Sequence, residues 1–333
     1  MRATFLTEGT SQTGYGHLSR IKSLYQAAES LGMDCFILAN YDANASIYMN
    51  GLNTKNFDWK DQPTESIAYI NNSNLVFFDS YQVGIEVLRE IVSNSVNSIK
   101  FAYIDDFNRL DYPNGIIINY SIGSNLEMYE NQSGRKSYLL GPKYALLARD
   151  YWQLLSKKSS EIREKVETVL ITFGGADNAN LTKVALETLV KNFPSIVFEV
   201  IIGPGNTSFE FFPLNNERIR FNRALSISDM KTLIERSDLC LTACGHTTYE
   251  IAATGRPMIA ILTADNQKLN AQGWKAEGIP VLNGLDSNFS DNLAEIFKST
   301  LPIEVRKSLS KIVSDSVDPS GAINVVRTIV ASN

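Results

Sequence analysis

The sequence is poor in histidine, in cysteine and in net positive charge, and each scarcity excludes a class of protein. Only two histidines and three cysteines occur in 333 residues. The cysteines Cys35, Cys240 and Cys244 are scattered and odd in number, which is typical of a chain kept in a reducing compartment. The formal net charge of -5 argues against a nucleic acid as the main partner, because binding to a phosphate backbone needs a basic face.

Long apolar segments are also missing. No run approaches the roughly 18 residues of a membrane-spanning helix, and MRATFLTEG at the N-terminus does not resemble a signal peptide. Cys240 and Cys244, with His246 nearby, supply too few ligands for a zinc site, so no metal is expected. Together these absences predict a cytoplasmic protein without an integral membrane segment.

What the sequence has in quantity is an alternation of short apolar strands and amphipathic helices. RATFLTEG is followed by the helical LSRIKSLYQAAESLG, and VETVLITFGG by the helical NLTKVALETLVKNF. Such alternation predicts parallel sheets with helices on both faces. Because 333 residues exceed what one compact core usually supports, two such domains are expected.

The polar and charged segment YWQLLSKKSSEIREKV indicates a domain boundary between the two halves of the chain. We expect an N-terminal Rossmann-like domain over 1–150, a linker helix over 151–166 and a second Rossmann-like domain over 167–333. The terminal stretch SGAINVVRTIVASN is predicted to form a helix that packs back across the junction. Two doubly wound halves facing each other bind ligands in the crevice beyond the carboxyl ends of their strands.

Three glycine-containing loops join a strand to a helix, at 9–17, 173–180 and 243–250. Glycine permits a tight turn there, and the N–H groups at a helix start attract negative charge, so a phosphorylated ligand is compatible with the acidic chain. One such loop is weak evidence, because strand-to-helix turns need glycine anyway. Neither the G-x-G-x-x-G fingerprint (Ser19 stands where its third glycine should be) nor a P-loop is present, which disfavours hydride transfer and P-loop NTP hydrolysis.

Several short motifs occur in a fixed order over nearly the whole chain. They are GYGH with a Leu-Ser-Arg helix start, DSY at 79–81, DD at 105–106, GPKYALL at 141–147, FGGAD at 173–177, Glu250 and DNQ at 265–267. This series resembles the nucleotide-sugar hydrolases of pseudaminic acid synthesis, which release UDP from a 2,4-diacetamido-trideoxy sugar. It is similar also to spore-coat-type polysaccharide proteins, and both belong to the GT-B superfamily of glycosyltransferases.

The resemblance implies that the N-terminal domain holds the sugar and that no cofactor is needed. The family's catalytic histidine falls on His17, which would be the general base that activates water against the anomeric carbon. A helix N-terminus keeps a histidine neutral, and only neutral imidazole accepts a proton. The sugar-side residues implied by the resemblance are Gly14, Tyr15, Gly16, Asp79, Tyr81, Asn266 and Gln267.

The resemblance gives the nucleotide to the C-terminal domain. Glu250 falls where GT-B enzymes place the carboxylate that accepts both ribose hydroxyls. The sequence departs from the hydrolases at CGHTT, which replaces a serine-rich loop. The implied nucleotide-side residues are Gly174, Gly175, Asp177, Gly245, His246, Thr247, Thr248 and Glu250.

Several of these residues have a structural alternative. His17 can be a helix cap, and Tyr81 a wedge between helix and sheet. Asp79 and Asp105 both end apolar strands, where a carboxylate can orient an imidazole or cap the next helix. His246 can bind phosphate or cap its helix. A direct part in the reaction is the weaker alternative for this residue. For Asn266 and Gln267 the alternative is an ordinary helix N-cap.

The expected function is hydrolysis of a nucleotide-activated deoxy-amino sugar, with UDP as the expected nucleotide, in bacterial surface-glycan biosynthesis. The reaction would be inverting and independent of metal. Two alternatives remain open. A sugar or lipid hydroxyl in place of water would make the protein a glycosyltransferase, and a cleft without turnover would make it a nucleotide-sugar-binding protein.

Overall fold

The computed structural model describes residues 1–10, 14–156, 161–175, 177, 179–203, 205–206 and 216–332. Residues 11–13 of the first predicted loop, and 176 and 178 of the second, lie outside this set. The chain divides into two compact units, Met1–Arg149 with the stretch from Ser320 onward, and Asp150–Pro319. In the described ranges, no helix has the length and apolar character needed to span a membrane.

The described strands of the first unit form one seven-stranded parallel sheet. Its strands are β1 (Arg2–Gly9), β2 (Asp34–Tyr41), β3 (Thr54–Asn56), β4 (Leu75–Asp79), β5 (Lys100–Ile104), β6 (Gly115–Asn119) and β7 (Lys136–Leu140). Their order is β3-β2-β1-β4-β5-β6-β7. All five residues of β4, LVFFD, are buried, as expected of a strand covered on both faces.

Helices of the first unit connect these strands. They are α1 (Gly16–Ser30), α2 (Ser46–Met49), α3 (Pro63–Ile70) and α4 (Ile85–Ser93). Leu18, Ile21 and Leu24 of α1 recur at helical spacing and are fully buried. Gly9 at the end of β1 permits this packing, because a Cβ there would lie 2.4 Å from the Leu18 side chain. The start of α1 is thereby held against the end of β1.

The second unit repeats the arrangement with a parallel sheet in the order β10-β9-β8-β11-β12-β13. Its strands are β8 (Thr168–Thr172), β9 (Val197–Ile202), β10 (Ile219–Arg223), β11 (Leu239–Ala243), β12 (Met258–Leu262) and β13 (Val281–Asn283). Its helices are α5 (Arg149–Trp152), which begins at the last residue of the first unit, α6 (Leu181–Asn192), α7 (Ile227–Arg236), α8 (Thr247–Thr254), α9 (Lys268–Ala276), α10 (Phe289–Thr300) and α11 (Ile303–Ser316). The prediction of two doubly wound parallel-sheet units is confirmed.

A linker helix over 151–166 is not what the described residues form. After α5 the chain makes a 3-10 turn at Gln153–Ser156, and 161–166 is irregular. Arg306, which is fully buried, donates to the carbonyl oxygens of Arg163 and Glu164 at 2.8 and 2.7 Å, so this polar stretch is held by a side chain instead of by helical hydrogen bonds.

The chain ends in α12 (Gly321–Ala331), which belongs to the first unit and packs on α1. Gly321 lies against the backbone of Ala145, where a Cβ would come within 2.3 Å of the carbonyl oxygen. Lys100 donates to the carbonyl oxygens of Ile329 and Ser332 and so covers the C-terminal end of this helix.

Each sheet has one switch point, where the strand order reverses its direction. The three predicted glycine-containing loops follow the strands at these switch points. In the first sheet β1 and β4 are neighbours, and in the second sheet β8 and β11 are neighbours. Open α/β sheets bind ligands beyond the carboxyl ends of the strands at such switch points. The fold therefore gives each unit one preferred ligand-binding edge.

Candidate functional site

His17 is the second residue of α1 and forms a close pair with the end of β4. Its ring is buried, and Nδ1 lies 2.6 Å from Oδ1 of Asp79. Asp79 is opposite Thr7 in the β1–β4 ladder, two residues before β1 ends. The loop between β1 and α1, with Gly14 at a φ of 80° and Tyr15 at the N-cap, turns the chain so that His17 returns toward β4.

Asp79 is ionised, and this fixes the form of the imidazole. Burial raises the pKa of Asp79, but the Arg20 guanidinium and His17 outweigh that effect, so the pKa lies below its ordinary value. An ionised carboxylate can only accept, so the contact of Nδ1 with Asp79 is a hydrogen bond only when Nδ1 carries the proton. Nη2 of Arg20, which lies 2.8 Å from the same nitrogen, then directs its N–H to Oδ1 of Asp79 at 2.6 Å. The other ring nitrogen, Nε2, is then a proton acceptor, and no described residue hydrogen-bonds to it.

Arg20 and Asp106 complete this cluster, and the sequence analysis assigned neither to the site. Arg20 donates from Nε to Oδ2 of Asp79 at 2.9 Å and from Nη2 to Oδ1 at 2.6 Å. Its Nη1 donates to Oδ2 of Asp106 at 2.6 Å, and the hydroxyl of Tyr120 also hydrogen-bonds to Arg20. The available signal was the spacing of His17 and Arg20, since residues i and i+3 share one helix face.

Tyr81 is the most exposed member of the cluster, with 37% of its surface accessible. The edge-to-face contact with the His17 ring has a centroid separation of 4.4 Å and an angle of 89°. Its hydroxyl donates to Asp106. Burial and the Asp106 carboxylate raise the pKa of Tyr81, so the phenol stays protonated and remains a donor. Phe107, also exposed, lies beside it at 5.6 Å between centroids.

A buried glutamate fixes the segment that carries Tyr81. Glu8 accepts from the backbone N–H groups of Tyr81 and Gln82 at 3.1 and 3.2 Å and from the Ser80 hydroxyl at 2.6 Å. From the other side, Arg109 donates to the carbonyl oxygens of Ser80 and Val83. The position of Tyr81 is thus set by hydrogen bonds from two other elements.

Asp105 does not take part in orienting His17. Its carboxylate accepts from the backbone N–H groups of Asn108 and Arg109 and from the hydroxyls of Tyr112 and Tyr129, at 2.7 to 3.0 Å. These four donors use its acceptor capacity in holding the turn after β5. Of the two candidates named for orienting the imidazole, Asp79 has the geometry, and Asp105 holds the turn between β5 and β6, where the described residues begin no helix.

In the second unit, Gly174 and Gly175 follow β8, and Gly174 has a φ of 82°. They pack on Gly203 after β9, where a Cβ would lie 2.2 Å from the Gly174 carbonyl oxygen. Gly205 donates to the carbonyl oxygen of Gly175 at 2.7 Å. The structure records no hydrogen bond from the N–H groups of Gly174 and Gly175 to a described residue.

Asp177 has a structural role. Its two carboxylate oxygens accept from the backbone N–H groups of Leu181 and Thr182, at 2.8 and 2.7 Å. These are the groups at the start of α6 that would otherwise attract an anion. Both carboxylate oxygens of Asp177, which the resemblance assigns to the nucleotide side, are thus engaged at the start of α6.

The loop after β11 carries the remaining nucleotide-side candidates. His246 is the N-cap residue of α8, and its side chain makes no capping hydrogen bond. Thr248 donates its hydroxyl to the Gly245 carbonyl at 2.7 Å, which tightens the turn. Glu250 lies in the first turn; burial raises its pKa to about 7, although a hydrogen bond with Thr247 lowers it. Carboxyl groups whose pKa is perturbed by desolvation cluster at functional sites.

Gln267 lies beside this loop, in the 3-10 turn Asp265–Gln267 that follows β12. Its side-chain oxygen accepts from the N–H and hydroxyl of Thr263, both at 3.1 Å. Its Nε2 would be 3.8 Å from a Cβ on Gly245, so the two predicted residues are neighbours. Asn266 is exposed, and neither it nor Gln267 forms a side-chain cap on α9.

The cysteines are not arranged for metal binding. Cys35, Cys240 and Cys244 are buried free thiols, and burial raises the pKa of Cys240 and Cys244 to about 12. Among the described residues, no group of three or more His, Cys, Asp or Glu side chains is placed to hold an ion.

Two parallel-sheet units with their candidate residues at the switch points define a GT-B-type fold, and solved structures agree. MurG of Acinetobacter baumannii matches over 99% of both chains with a TM-score of 0.65 and 12% identity. S. aureus MnaA, solved with UDP, matches over 99% of this chain and 96% of its own (TM-score 0.69, 11% identity). The spinosyn rhamnosyltransferase SpnG, complexed with thymidine diphosphate, matches over 98% and 100% (TM-score 0.62, 13% identity).

The sequence relatives do not assign the chain to a family. No family model matches the chain. An uncharacterised protein of Methanocaldococcus jannaschii, MJ1062, is 25% identical over 284 residues, which cover 80% of this chain and 57% of that protein. The Helicobacter pylori pseudaminic acid cytidylyltransferase and UDP-2,4-diacetamido-2,4,6-trideoxy-beta-L-altropyranose hydrolase is 22% identical over 271 residues, 80% of this chain and 45% of that protein. The chain thus spans about half the length of these relatives.

Proposed function

We propose that the protein uses a nucleotide-activated sugar and hydrolyses it at the anomeric C–O bond. UDP is the expected nucleotide and a deoxy-amino sugar the expected glycosyl group. In this reaction water attacks the anomeric carbon and transfers a proton to Nε2 of His17. The bond from that carbon to the phosphate oxygen breaks, the nucleoside diphosphate leaves with the electron pair, and the configuration inverts through an oxocarbenium-like transition state.

One observation carries this proposal above the others. The His17–Asp79 pair, at 2.6 Å, holds the imidazole by Nδ1 at the switch point of the first sheet and leaves Nε2 without a partner among the described residues. A general base needs a fixed ring with one free acceptor nitrogen. The aromatic ring of Tyr81 beside it gives the sugar an apolar surface. The hydrolase named in the H. pylori relative is further support for water as the acceptor.

The second unit would hold the nucleotide. The N–H groups of Gly174 and Gly175, with that of Thr247 at the start of α8, would donate to the diphosphate as its charge develops. Glu250 would accept from the ribose hydroxyls. Backbone donors of this kind stabilise a leaving diphosphate without side-chain cations.

A glycosyltransferase is the alternative that specific observations favour. The folds of MurG and SpnG both match that of this chain. SpnG is described as a spinosyn rhamnosyltransferase, which is an enzyme of glycosyl transfer. The same base would then deprotonate a sugar or lipid hydroxyl in place of water. The first sheet and its His17 cluster would be unchanged, so only the acceptor separates the two functions.

The deciding experiment incubates the protein with UDP-, GDP- and CMP-sugars in the absence of any acceptor and measures the free nucleotide released. Hydrolysis in water enriched in ¹⁸O should place the label on the sugar. Release that occurs only when an acceptor alcohol is added would establish the transferase instead. Binding of a nucleotide sugar without any release would leave a binding protein.

A further inference from the structure

Arg20 lies between two carboxylates and beside the ring of His17. Its guanidinium makes a two-point contact with Asp79, at 2.9 and 2.6 Å, and a third contact with Asp106 at 2.6 Å. The same Nη2 lies 2.8 Å from Nδ1 of His17. Arg20 and Asp79 are buried, and the side chain of Asp106 is only 14% exposed. These charges therefore interact mainly through protein and not through bulk water.

The balance of charge around His17 depends on this arginine. The ionisable groups that face the ring are Asp79 from β4, Arg20 from α1 and the neutral phenol of Tyr81, with Asp106 reached through Arg20 and Tyr81. With a neutral imidazole the cluster carries two negative charges and one positive. Without the guanidinium, two carboxylates would remain beside the ring, and they would favour the imidazolium, which has no acceptor nitrogen.

We propose that Arg20 is a positioning residue that offsets the negative charge of Asp79 beside the His17 ring, so that the imidazole can present Nε2 as a proton acceptor. Asp79 then orients the ring by accepting from its Nδ1–H group, without drawing a second proton onto Nε2. When His17 takes the proton in the reaction, the cluster becomes neutral, and the imidazolium is still stabilised. The inference uses the proposed function only in naming His17 as the base, since the charge relationship exists in the protein without ligand.

The shape of arginine suits this position in a way that lysine does not. A guanidinium presents a planar fork that meets both oxygens of one carboxylate and still donates to a second one. A lysine ammonium at the same place is a point charge that cannot hold Asp79 and Asp106 in this geometry. Arg20→Lys should therefore keep most of the charge effect and lose the ordering of Asp106.

NMR titration of the ligand-free protein tests the inference directly, because the chain has only two histidines. His246→Asn assigns the ring signals. In Arg20→Gln the titration midpoint of the His17 Hε1 signal should move upward by about one to three pH units, the size of a nearby charge effect. Arg89→Gln is the matched control, because Arg89 is exposed and pairs with Glu86 on its own helix, and it should leave the midpoint unchanged. A midpoint that stays in place or falls in folded Arg20→Gln overturns the proposal.

A second variant decides the matter if Arg20→Gln does not fold. Asp106→Asn removes one negative charge and leaves Arg20, so the midpoint of His17 should move downward, by up to about one unit. An upward or absent shift would overturn the proposal. A purely structural role for Arg20 would lower the melting temperature of Arg20→Gln and leave its His17 midpoint unchanged.

Activity then separates this inference from the proposed function. If His17 is the base, the acidic limb of the kcat/KM profile should move by the same amount as the NMR midpoint. If the midpoint moves and the limb does not, the role of Arg20 stands and His17 is not the base of the reaction.

Discussion

Nδ1 of His17 and Oδ1 of Asp79 lie 2.6 Å apart, although 62 residues separate them in the chain. They meet because β1 and β4 are neighbours in the sheet and both end at the same edge. In this pair Nε2 of the imidazole has no partner among the described residues, and the Asp79 carboxylate accepts two hydrogen bonds from Arg20. A helix cap would not need a carboxylate at this position, so the pair favours a chemical role for His17.

His17→Asn should lower turnover by roughly 100- to 10,000-fold, which is the usual contribution of a positioned general base. Binding of the nucleotide should be largely kept, because the residues proposed to bind it lie in the second unit. The acidic limb of the pH–rate profile should disappear with the imidazole. Steady-state kinetics with the substrate found in the nucleotide-sugar panel, and calorimetry with UDP, provide the two measurements. Near-normal turnover in His17→Asn would remove His17 as the base.

Asp79→Asn should destabilise the protein in a manner that depends on pH. Breaking a buried pair leaves the other charge uncompensated and costs about 3 to 5 kcal/mol. Because the folded-state pKa of Asp79 lies below its unfolded value of about 4, its contribution is complete above that value and is lost as the pH falls through the folded-state pKa. Urea unfolding at pH 7 and at pH 3 should show a difference between wild type and variant that shrinks at the lower pH. A difference that is equal at both values would contradict the ionised state of Asp79.

The fold and part of the site were predictable from the sequence, for identifiable reasons. The alternation of apolar strands and amphipathic helices is a local signal, and it correctly predicted two parallel sheets. The choice between Asp79 and Asp105 was not local. Both end an apolar strand, but β4 adjoins β1 and β5 is one strand further from it, so only Asp79 comes within reach of His17.

Other features depended on contacts that a single sequence does not reveal. Asp106 joins the site through Arg20 and Tyr81, which are far from it in the chain. Glu8 holds the segment of Tyr81, although in the sequence it is one acidic residue near the end of a strand. The helical spacing in 151–166 was misleading, because periodicity cannot show that a buried arginine will bind the backbone there as an irregular segment.

Glu250 should make nucleotide binding dependent on pH. Burial raises its pKa to about 7, and acceptance of two ribose hydroxyls needs the carboxylate, so binding should release a proton. Affinity for UDP-N-acetylglucosamine, whose phosphates do not titrate in this range, should rise as the pH increases toward 7 and level off above it. Glu250→Gln should lose this slope, and Glu250→Ala should weaken binding about 10- to 1,000-fold, as the loss of charge-assisted hydrogen bonds predicts. A slope that persists in Glu250→Gln would assign the titration to another group.

Gly203→Ala should weaken nucleotide binding even though Gly203 itself is not proposed to touch the ligand. A Cβ at this position would lie 2.2 and 2.5 Å from the carbonyl oxygens of Gly174 and Gly175. The methyl group must therefore displace the loop whose N–H groups are proposed to bind the diphosphate. Gly84→Ala is the matched control, because its Cβ would meet nothing within 4 Å and its φ of -81° suits alanine.

The affinity of UDP, measured by calorimetry, should fall in Gly203→Ala and stay at the wild-type value in Gly84→Ala. Uridine affinity separates the two halves of the ligand, because the ribose contact of Glu250 does not involve the displaced loop. A loss seen with UDP and not with uridine is the expected result, since the glycine loop would act on phosphate alone. Equal losses with both ligands would mean that the alanine disturbs the second unit as a whole, and unchanged UDP affinity would remove Gly174 and Gly175 from the phosphate site.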